Sequence, residues 1–234
     1  MTAKTPYPIV FIPGASSDEA SWADQVAYFD GSSAVNLVSF DDIGAMADEV
    51  LATAPAEFTV CGTSMGGYVA FDVLKKAKGR VKSAILCNTS ARADSPERQR
   101  QRQMEVSAGE AAYKEARKDD SHYNAFISAK SAQDKALIAR LRAISQRVGF
   151  AGFSRHQKAC ANRAESLSYL AQIDMPVLVL GGGEDTLIPN ELQVEIQNGI
   201  KGAQLVIIPD TGHITNMEDA GAMNAAIEKF LRAA

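Results

Sequence analysis

Residues 58–67 read FTVCGTSMGG, and this stretch decides the fold. Its first four residues form an apolar run typical of a buried strand, and the helix-compatible residues 68–76 follow it. Ser64 stands between Gly62 and Gly66, at the turn from strand to helix. Small neighbours permit the tight packing that such a turn requires, and this packing leaves the serine hydroxyl accessible. The stretch therefore predicts a nucleophile elbow, with an oxyanion favoured near the first amides of the helix.

Further short apolar runs recur along the chain, and helix-compatible segments separate them. Because these runs are apolar on both faces, they predict buried parallel strands. The predicted strands are Ile9–Ile12, Val35–Phe40, Phe58–Cys61, Ala84–Cys87, Val177–Leu180 and Leu205–Ile208. The predicted helices between and after them include Ala45–Ala52, Tyr68–Lys76, Glu191–Gly199 and Ala220–Leu231. This alternation predicts an α/β fold with a doubly wound, mainly parallel six-stranded sheet, which binds its ligands beyond the carboxyl ends of the strands.

One long segment interrupts the alternation. Residues 91–173 contain no convincing strand and are rich in Ala, Arg, Lys, Gln and Glu. Leu137, Leu141, Ile144 and Val148 form an apolar stripe at helical spacing. We therefore expect a helical insertion at residues 91–173 in a core formed by residues 1–90 and 174–234, with a turn or helix start near Ser95.

Composition narrows the class of protein. The chain has 234 residues, of which 46% are hydrophobic, and this is enough for one domain with a sizeable core. A net charge of −4 does not indicate a protein that binds nucleic acid or an anionic membrane. No signal-peptide-like or membrane-spanning stretch is visible, so we expect a cytoplasmic protein. Three cysteines without metal-ligand spacing (Cys61, Cys87 and Cys160) are expected to be buried thiols.

A serine nucleophile needs a base, and the chain contains three histidines. His122 and His156 lie within the helical insertion, where we expect polar surface residues. His213 follows the predicted strand Leu205–Ile208 and a turn, so it lies at the carboxyl end of a strand, on the same rim as Ser64. We therefore predict that His213 is the base.

The base in turn needs a carboxylate that fixes its tautomer. Asp185 follows the strand Val177–Leu180 and three glycines, again just beyond the carboxyl end of a strand. The resulting order of Ser64, Asp185 and His213 is that of one of the three known serine-triad arrangements. Three other acids remain open as alternatives: Glu184, Asp210 and Asp94.

Together these motifs resemble those of the α/β-hydrolase fold, over nearly the whole chain. The resemblance rests on Pro13-Gly14, on residues 62–66, on the run GEDTLIP at residues 183–189, which favours Asp185 as the triad acid, and on Gly212-His213. It implies that the backbone amides of Ala15 and Met65 form the oxyanion hole. Pro13 stands where the family usually has histidine. Because only eight residues precede the first strand, we expect a shortened sheet that lacks the N-terminal hairpin, with strand order 2-1-3-4-5-6.

The resemblance also implies a function. Residues 88–97 and the run RHQ at residues 155–157 look most like small bacterial carboxylesterases and 3-oxoadipate enol-lactonases. The insertion would then be a helical cap over a site that hydrolyses an ester, thioester or lactone, without metal or organic cofactor. Two alternatives remain open: a slow or inactive small-molecule receptor, and a related triad reaction such as carbon–carbon hydrolysis or cyanide release from a cyanohydrin.

The insertion carries a distinct charge. Residues 91–170 contain 15 Lys and Arg against 9 Asp and Glu, whereas the remainder of the chain is acidic. This basic segment either complements the acidic core or presents arginines to an anionic substrate. For the second interpretation Arg155 and Arg163 are the candidates, since a guanidinium suits a carboxylate. We expect a small-molecule substrate as the partner, no nucleic acid or membrane, and a monomer or homodimer.

Overall fold

The fold is built on one six-stranded parallel sheet. The computed structural model describes residues 2–77 and 79–233. The strands are β1 (Ile9–Ile12), β2 (Ser33–Ala34), β3 (Phe58–Thr63), β4 (Val81–Cys87), β5 (Val177–Gly182) and β6 (Gln204–Ile208). Their order is β2-β1-β3-β4-β5-β6, and every pairing is parallel. The predicted fold class and strand order are therefore confirmed.

The second strand differs from its prediction. We expected a strand at Val35–Phe40, but β2 covers only Ser33–Ala34, at the edge of the sheet beside β1. After β2 the side chain of Asn36 accepts a hydrogen bond from the amide of Val38 at 3.1 Å, and this turn leads the chain away from the sheet. Leu37 is nevertheless fully buried in the core. The apolar run Val35–Phe40 is therefore a loop that packs into the core. Apolar content alone does not distinguish such a loop from a buried strand.

Helices cover both faces of the sheet. They are α1 (Ala23–Tyr28), α2 (Ile43–Thr53), α3 (Met65–Lys76), α4 (Pro96–Ser107), α5 (Gly109–Ala116), α6 (Lys135–Ala161), α7 (Asn190–Gly199), α8 (Thr215–Glu218) and α9 (Ala220–Ala233). Four of them, α2, α3, α7 and α9, contain the helices predicted from the sequence. Short 3₁₀ segments lie at Glu19–Trp22, Asp120–Ala125, Ser131–Gln133 and Leu167–Gln172.

Alternate strand residues point into two hydrophobic clusters. Val10 and Ile12 pack with α2, α3 and α7 on one face, whereas Ile9 and Phe11 pack with α1 and α9 on the other. Trp22 stacks on Phe11 with ring centroids 4.8 Å apart. Burial of each large apolar side chain contributes about 1.5–3 kcal/mol, so both faces stabilise the sheet. In the part of the chain that the structure describes, no helix has the length and apolar character needed to cross a membrane.

Residues 91–173, which we call the helical insertion, contain α4, α5 and α6 and no strand; all of them are described. Ser95 caps α4, accepting a hydrogen bond from the amide of Arg98, as the predicted helix start requires. The predicted stripe is confirmed: Leu137, Ile144 and Val148 are buried in a third hydrophobic cluster, and Leu141 packs against it.

Helix α6 is kinked at Gly149, whose φ of 61° and ψ of −179° are not helical. The positive φ favours glycine, which has no Cβ to clash. The kink divides the helix into two halves that both reach the core: the first half packs with Met217 and pairs with Asp18 and Asp24, and the second half packs beside α2 and α3. Ala159 and Cys160 of this second half lie in the same cluster as α2 and α3. The kink therefore brings the last turns of α6 against the body of the protein.

Candidate active site

Ser64 lies at a sharp turn between β3 and α3. Its φ of 53° is positive, which is strained for a residue with a side chain. A Cβ atom on Gly62 would collide with the main chain of Gly66, and one on Gly66 would collide with the carbonyl oxygen of Ile12. These close approaches explain the glycines on both sides of the serine, and the turn leaves Ser64 partly exposed.

A continuous hydrogen-bonded chain joins Ser64, His213 and Asp185. His213 Nε2 lies 2.9 Å from Ser64 Oγ, and His213 Nδ1 lies 2.9 Å from Asp185 Oδ2. An ionised carboxylate only accepts hydrogen bonds, so Nδ1 carries the proton and Nε2 accepts the proton of the serine hydroxyl. The structure therefore brings these three predicted site residues together across 149 residues of sequence.

The carboxylate of Asp185 is held by four donors. The amides of Leu187 and Ile188 donate to Oδ1 at 2.9 and 3.0 Å, and Asn88 Nδ2 joins His213 in donating to Oδ2, at 2.9 Å. Burial alone would raise the pKa of Asp185, but the hydrogen bond and charge interaction with His213, followed by the amide donors, lower it below the ordinary value. The carboxyl is therefore ionised at neutral pH.

Asn88 was not among the site residues predicted from the sequence. It directly follows β4, has a positive φ of 45°, and also donates to the carbonyl oxygen of Gly212 at 3.3 Å. Asn tolerates this backbone region better than most residues. A polar residue immediately after a buried strand, at the edge of the sheet where Ser64 and Asp185 lie, was the signal that could have found it.

The three alternative acids lie in other surroundings. Asp94 is buried in ion pairs with Arg102 and Arg163. The Glu184 carboxylate accepts a hydrogen bond from the amide of Ala129 at 3.1 Å, and Asp210 is exposed in a turn with a positive φ. Asp185 is the acid that the structure places against His213.

The loop that carries His213 is fastened to the helical insertion through main-chain atoms. The His213 amide donates to the carbonyl oxygen of Phe126 at 2.9 Å. Glu218 accepts hydrogen bonds from the amides of Gly212 and Ser128, at 2.9 and 2.8 Å, and so bridges the two segments. The position of the histidine therefore depends on contacts from both the core and the insertion.

The loop after β1 lies beside Ser64. A Cβ atom on Gly14 would stand 3.4 Å from Ser64 Cβ, so the loop passes the serine one residue before Ala15. The Met65 amide opens α3 directly after Ser64. Within residues 2–77 and 79–233, neither amide donates a hydrogen bond to another protein group. That these two amides form an oxyanion hole at Ser64 stays a prediction.

The prediction that His156 is a surface residue is wrong. It is fully buried, and its ring contacts the Ser16 amide and the Leu37 carbonyl, both more than 100 residues away in sequence. No local sequence pattern predicts that His156 is buried with these partners, because residues so far apart in the sequence are brought together only by the fold. His122 is half-buried, with edge-on ring contacts to Tyr123 and Phe126.

The two candidate arginines have different surroundings. The Arg163 guanidinium is buried, pairs with Asp94 at 2.5 Å and lies 4.0 Å from the ring centroid of Tyr68. Its other hydrogen bonds go to the carbonyl oxygens of Arg92 and Cys160. Arg155 is exposed on the second half of α6. A role for either side chain in binding a substrate carboxylate stays a prediction.

The cysteines offer no reactive group at the surface. Cys61, Cys87 and Cys160 are all buried and free, as expected. Burial raises the pKa of the Cys61 and Cys160 thiols, which keeps them protonated. Among the described residues, no three His, Cys, Asp or Glu side chains are grouped to hold a metal ion.

Comparison with known proteins identifies the family. The sequence model of the α/β-hydrolase fold matches residues 12–220, which include the serine elbow, Asp185 and His213. The chain belongs to the α/β-hydrolase fold family. The match runs from the last residue of β1 to the first residue of α9 and includes the insertion, and it confirms the resemblance inferred from the motifs.

Several known proteins are similar to the chain. A pimeloyl-[acyl-carrier protein] methyl ester esterase of Neisseria meningitidis serogroup B is 24% identical over 215 residues, covering 91% of this chain and 83% of the relative. An enol-lactonase from Burkholderia xenovorans LB400 has a TM-score of 0.83 at 23% identity, covering 97% and 92% of the two chains. A thermophilic esterase from Thermogutta terrifontis has a TM-score of 0.81 at 24% identity, and the alignment covers 99% of this chain and 91% of the esterase chain.

Proposed function

We propose that this protein is a serine hydrolase that cleaves a small ester, thioester or lactone through an acyl-enzyme. The observation that carries the proposal is the chain of two 2.9 Å hydrogen bonds from Ser64 through His213 to Asp185. A serine at its ordinary pKa is a weak nucleophile and needs a base in hydrogen-bond contact, oriented by a third group. The three side chains supply this arrangement.

Each group then has a role in the reaction. Ser64 Oγ attacks the substrate carbonyl while its proton passes to His213 Nε2. Asp185, ionised because its pKa is lowered, stabilises the imidazolium that forms. His213 next protonates the leaving alcohol, thiol or lactone oxygen as the tetrahedral intermediate collapses. It finally deprotonates the water that hydrolyses the acyl-enzyme.

The amides of Ala15 and Met65 would bind the oxyanion of both tetrahedral intermediates. Met65 follows Ser64 directly and its amide lies at the positive end of the α3 dipole, and the loop that carries Ala15 passes beside the serine at Gly14. Loss of one such donor typically costs about 10²–10³-fold in kcat. Since these donors are backbone groups, the proline at position 13 leaves their chemistry unchanged.

The helical insertion would serve as the cap that encloses the substrate. Its contact with the His213 loop, through Phe126 and Ser128, places it at the rim of the site. The bond class is supported by the relatives, which are named as a methyl ester esterase, an enol-lactonase and an esterase. None of the steps above uses a metal or an organic cofactor.

The test is ester turnover that depends on Ser64. The purified protein is assayed against a panel of p-nitrophenyl esters, with Ser64→Ala as the inactive variant and Ser107→Ala, an exposed serine of α4, as the matched control. We expect loss of about 10³-fold or more for Ser64→Ala alone. A fluorophosphonate reagent should also modify Ser64 and no other serine. Equal rates in the wild type and Ser64→Ala would refute the proposal, and saturable ligand binding without turnover would then indicate a receptor.

A further inference from the structure

His156 links the insertion to the loop beside Ser64. It lies in the second half of α6, is fully buried, and accepts a hydrogen bond at Nδ1 from the Ser16 amide at 3.0 Å. Its Nε2 lies 3.2 Å from the carbonyl oxygen of Leu37. Nothing in the mechanism above uses this side chain, although a buried polar ring in a well-packed core requires an explanation.

The two partners define the tautomer of the ring. A carbonyl oxygen only accepts, so the Nε2 of His156 donates to Leu37. An amide only donates, so Nδ1 must be the unprotonated nitrogen that accepts from Ser16. A proton on Nδ1 would face the Ser16 amide hydrogen and break this contact. The arrangement therefore requires a neutral imidazole.

The charges around the ring agree with a neutral state. Burial lowers the pKa of His156, the hydrogen bond with Leu37 opposes this effect, and neighbouring Arg155 lowers the pKa further. Two carboxylates of the loops packed against α6, those of Asp18 and Asp41, form ion pairs with side chains other than His156. Asp18 pairs with Arg147 at 2.7 Å, and Asp41 pairs with Lys158 at 2.6 Å.

The Ser16 amide is one peptide unit beyond the proposed oxyanion donor. Fixing its N–H direction fixes the peptide plane between Ala15 and Ser16. Only the φ and ψ of Ala15 then separate this plane from the one that carries the Ala15 amide, which restricts the directions that the Ala15 amide can take. Ser16 has a positive φ of 59°, which a serine does not adopt without support from its surroundings. The hydrogen bond from Ser16 to Nδ1 supplies such support.

We propose that His156 is a positioning residue, whose neutral Nδ1 holds the Ser16 amide and thereby keeps the Ala15 amide directed at the oxyanion site. The inference rests on the proposed serine-hydrolase function and adds to it a role for the insertion. The cap helix then shapes the catalytic machinery itself, in addition to covering it.

Two substitutions separate the two hydrogen bonds of the ring. Asn Oδ1 is as many bonds from Cα as Nδ1, so His156→Asn keeps an acceptor for Ser16 and loses the donor to Leu37. Gln Nε2 is as many bonds from Cα as His Nε2, so His156→Gln keeps the donor and loses the acceptor. Each variant loses one hydrogen bond, and we expect similar drops in melting temperature.

The catalytic consequences should differ between the two variants. Because the oxyanion donors act on the tetrahedral state, His156→Gln should lower kcat and the affinity for a trifluoromethyl ketone by roughly 10- to 100-fold, with little change in KM. His156→Asn should stay within a few-fold of the wild type. Amide hydrogen exchange at Ser16 should accelerate in the Gln variant and stay slow in the Asn variant. Arg147→Met, which removes another contact between α6 and the same loop, is the control and should retain wild-type kcat.

The outcomes distinguish this inference from the proposed function. Equal losses of kcat in the Asn and Gln variants, or wild-type kcat in His156→Gln, would overturn the positioning role while Ser64-dependent turnover stands. Absence of Ser64-dependent turnover in the wild-type protein would overturn the proposed function, and the catalytic role of His156 with it. The exchange rates at Ser16 report the loop contact independently of any activity.

Discussion

Replacing Asp185 by Asn should invert the tautomer of His213. The amides of Leu187 and Ile188 both donate to Oδ1, so the carbonyl oxygen of the new Asn takes this position. Its amide nitrogen then occupies the position of Oδ2 and presents hydrogen atoms to His213 Nδ1. The ring responds by carrying its proton on Nε2, where it faces Ser64 Oγ and no longer accepts the serine proton.

The expected loss of kcat is large, although the Asp185→Asn substitution changes only one heavy atom. A histidine held in the wrong tautomer by an Asp→Asn change in a serine triad lowers kcat by about 10⁴-fold, which corresponds to about 5.4 kcal/mol of transition-state stabilisation. The assay is kcat for a p-nitrophenyl ester at neutral pH, with circular dichroism to show that the variant is folded. Nitrogen-15 chemical shifts of His213 should report protonation at Nε2.

Asp94→Asn and Asp210→Asn are the matched controls, since neither carboxylate touches His213. Asp94→Asn should lower thermal stability, because Asp94 pairs with two buried arginines. It should leave the tautomer of His213 unchanged. If Asp185→Asn kept kcat within ten-fold of the wild type while either control lost it, the assignment of the acid would be refuted.

Four further outcomes follow from the structure. Arg163→Met should lower the free energy of unfolding by up to about 3 kcal/mol, because it removes one of two partners of buried Asp94. A loss of kcat/KM confined to an anionic ester in this variant would support a role of Arg163 in substrate binding, and equal changes for anionic and neutral esters would contradict that role. Exposed Arg155→Met should leave the melting temperature unchanged, and a loss confined to the anionic ester would support a role in substrate binding. Gly66→Ala should destabilise by about 1–3 kcal/mol or more in urea unfolding, because its methyl group meets main-chain atoms of β1. Because the pKa of Asp185 is lowered in the folded protein, its ionised carboxylate stabilises the fold at pH values above the unfolded carboxyl pKa of about 3.9. This contribution should be lost as the pH falls through the native pKa. Unfolding curves of the wild type and Asp185→Asn at several pH values can measure it.

The sequence identified those parts of the site that follow from strand order. Ser64, Asp185 and His213 each follow an apolar run within a few residues, and the carboxyl ends of parallel strands share one edge. Their meeting could therefore be predicted from the positions of the strands alone. The same rule applies to Asn88, which was overlooked because a serine triad does not require it.

Features that depend on packing could not be predicted in this way. The run Val35–Phe40 has the composition of a strand, but it buries Leu37 from a loop, and only the three-dimensional fit decides between these uses. His156 has polar partners that lie 140 and 119 residues away, and no periodicity links them. The ion pair between Arg163 and Asp94 joins residues that are 69 positions apart, so the sequence does not show these two side chains as neighbours either.

The attachment between the insertion and the His213 loop has a consequence for the evolution of specificity. On the insertion side it uses the Phe126 carbonyl and the Ser128 amide, which every residue other than proline supplies. Ile127 and Ser128 are buried, but the half-buried side chain of Phe126 and the exposed one of Ala129 can change while this main-chain anchorage persists. A lineage can therefore vary positions 126 and 129 without first losing the alignment of its histidine, and a laboratory library restricted to these two positions should retain a high fraction of folded, active members.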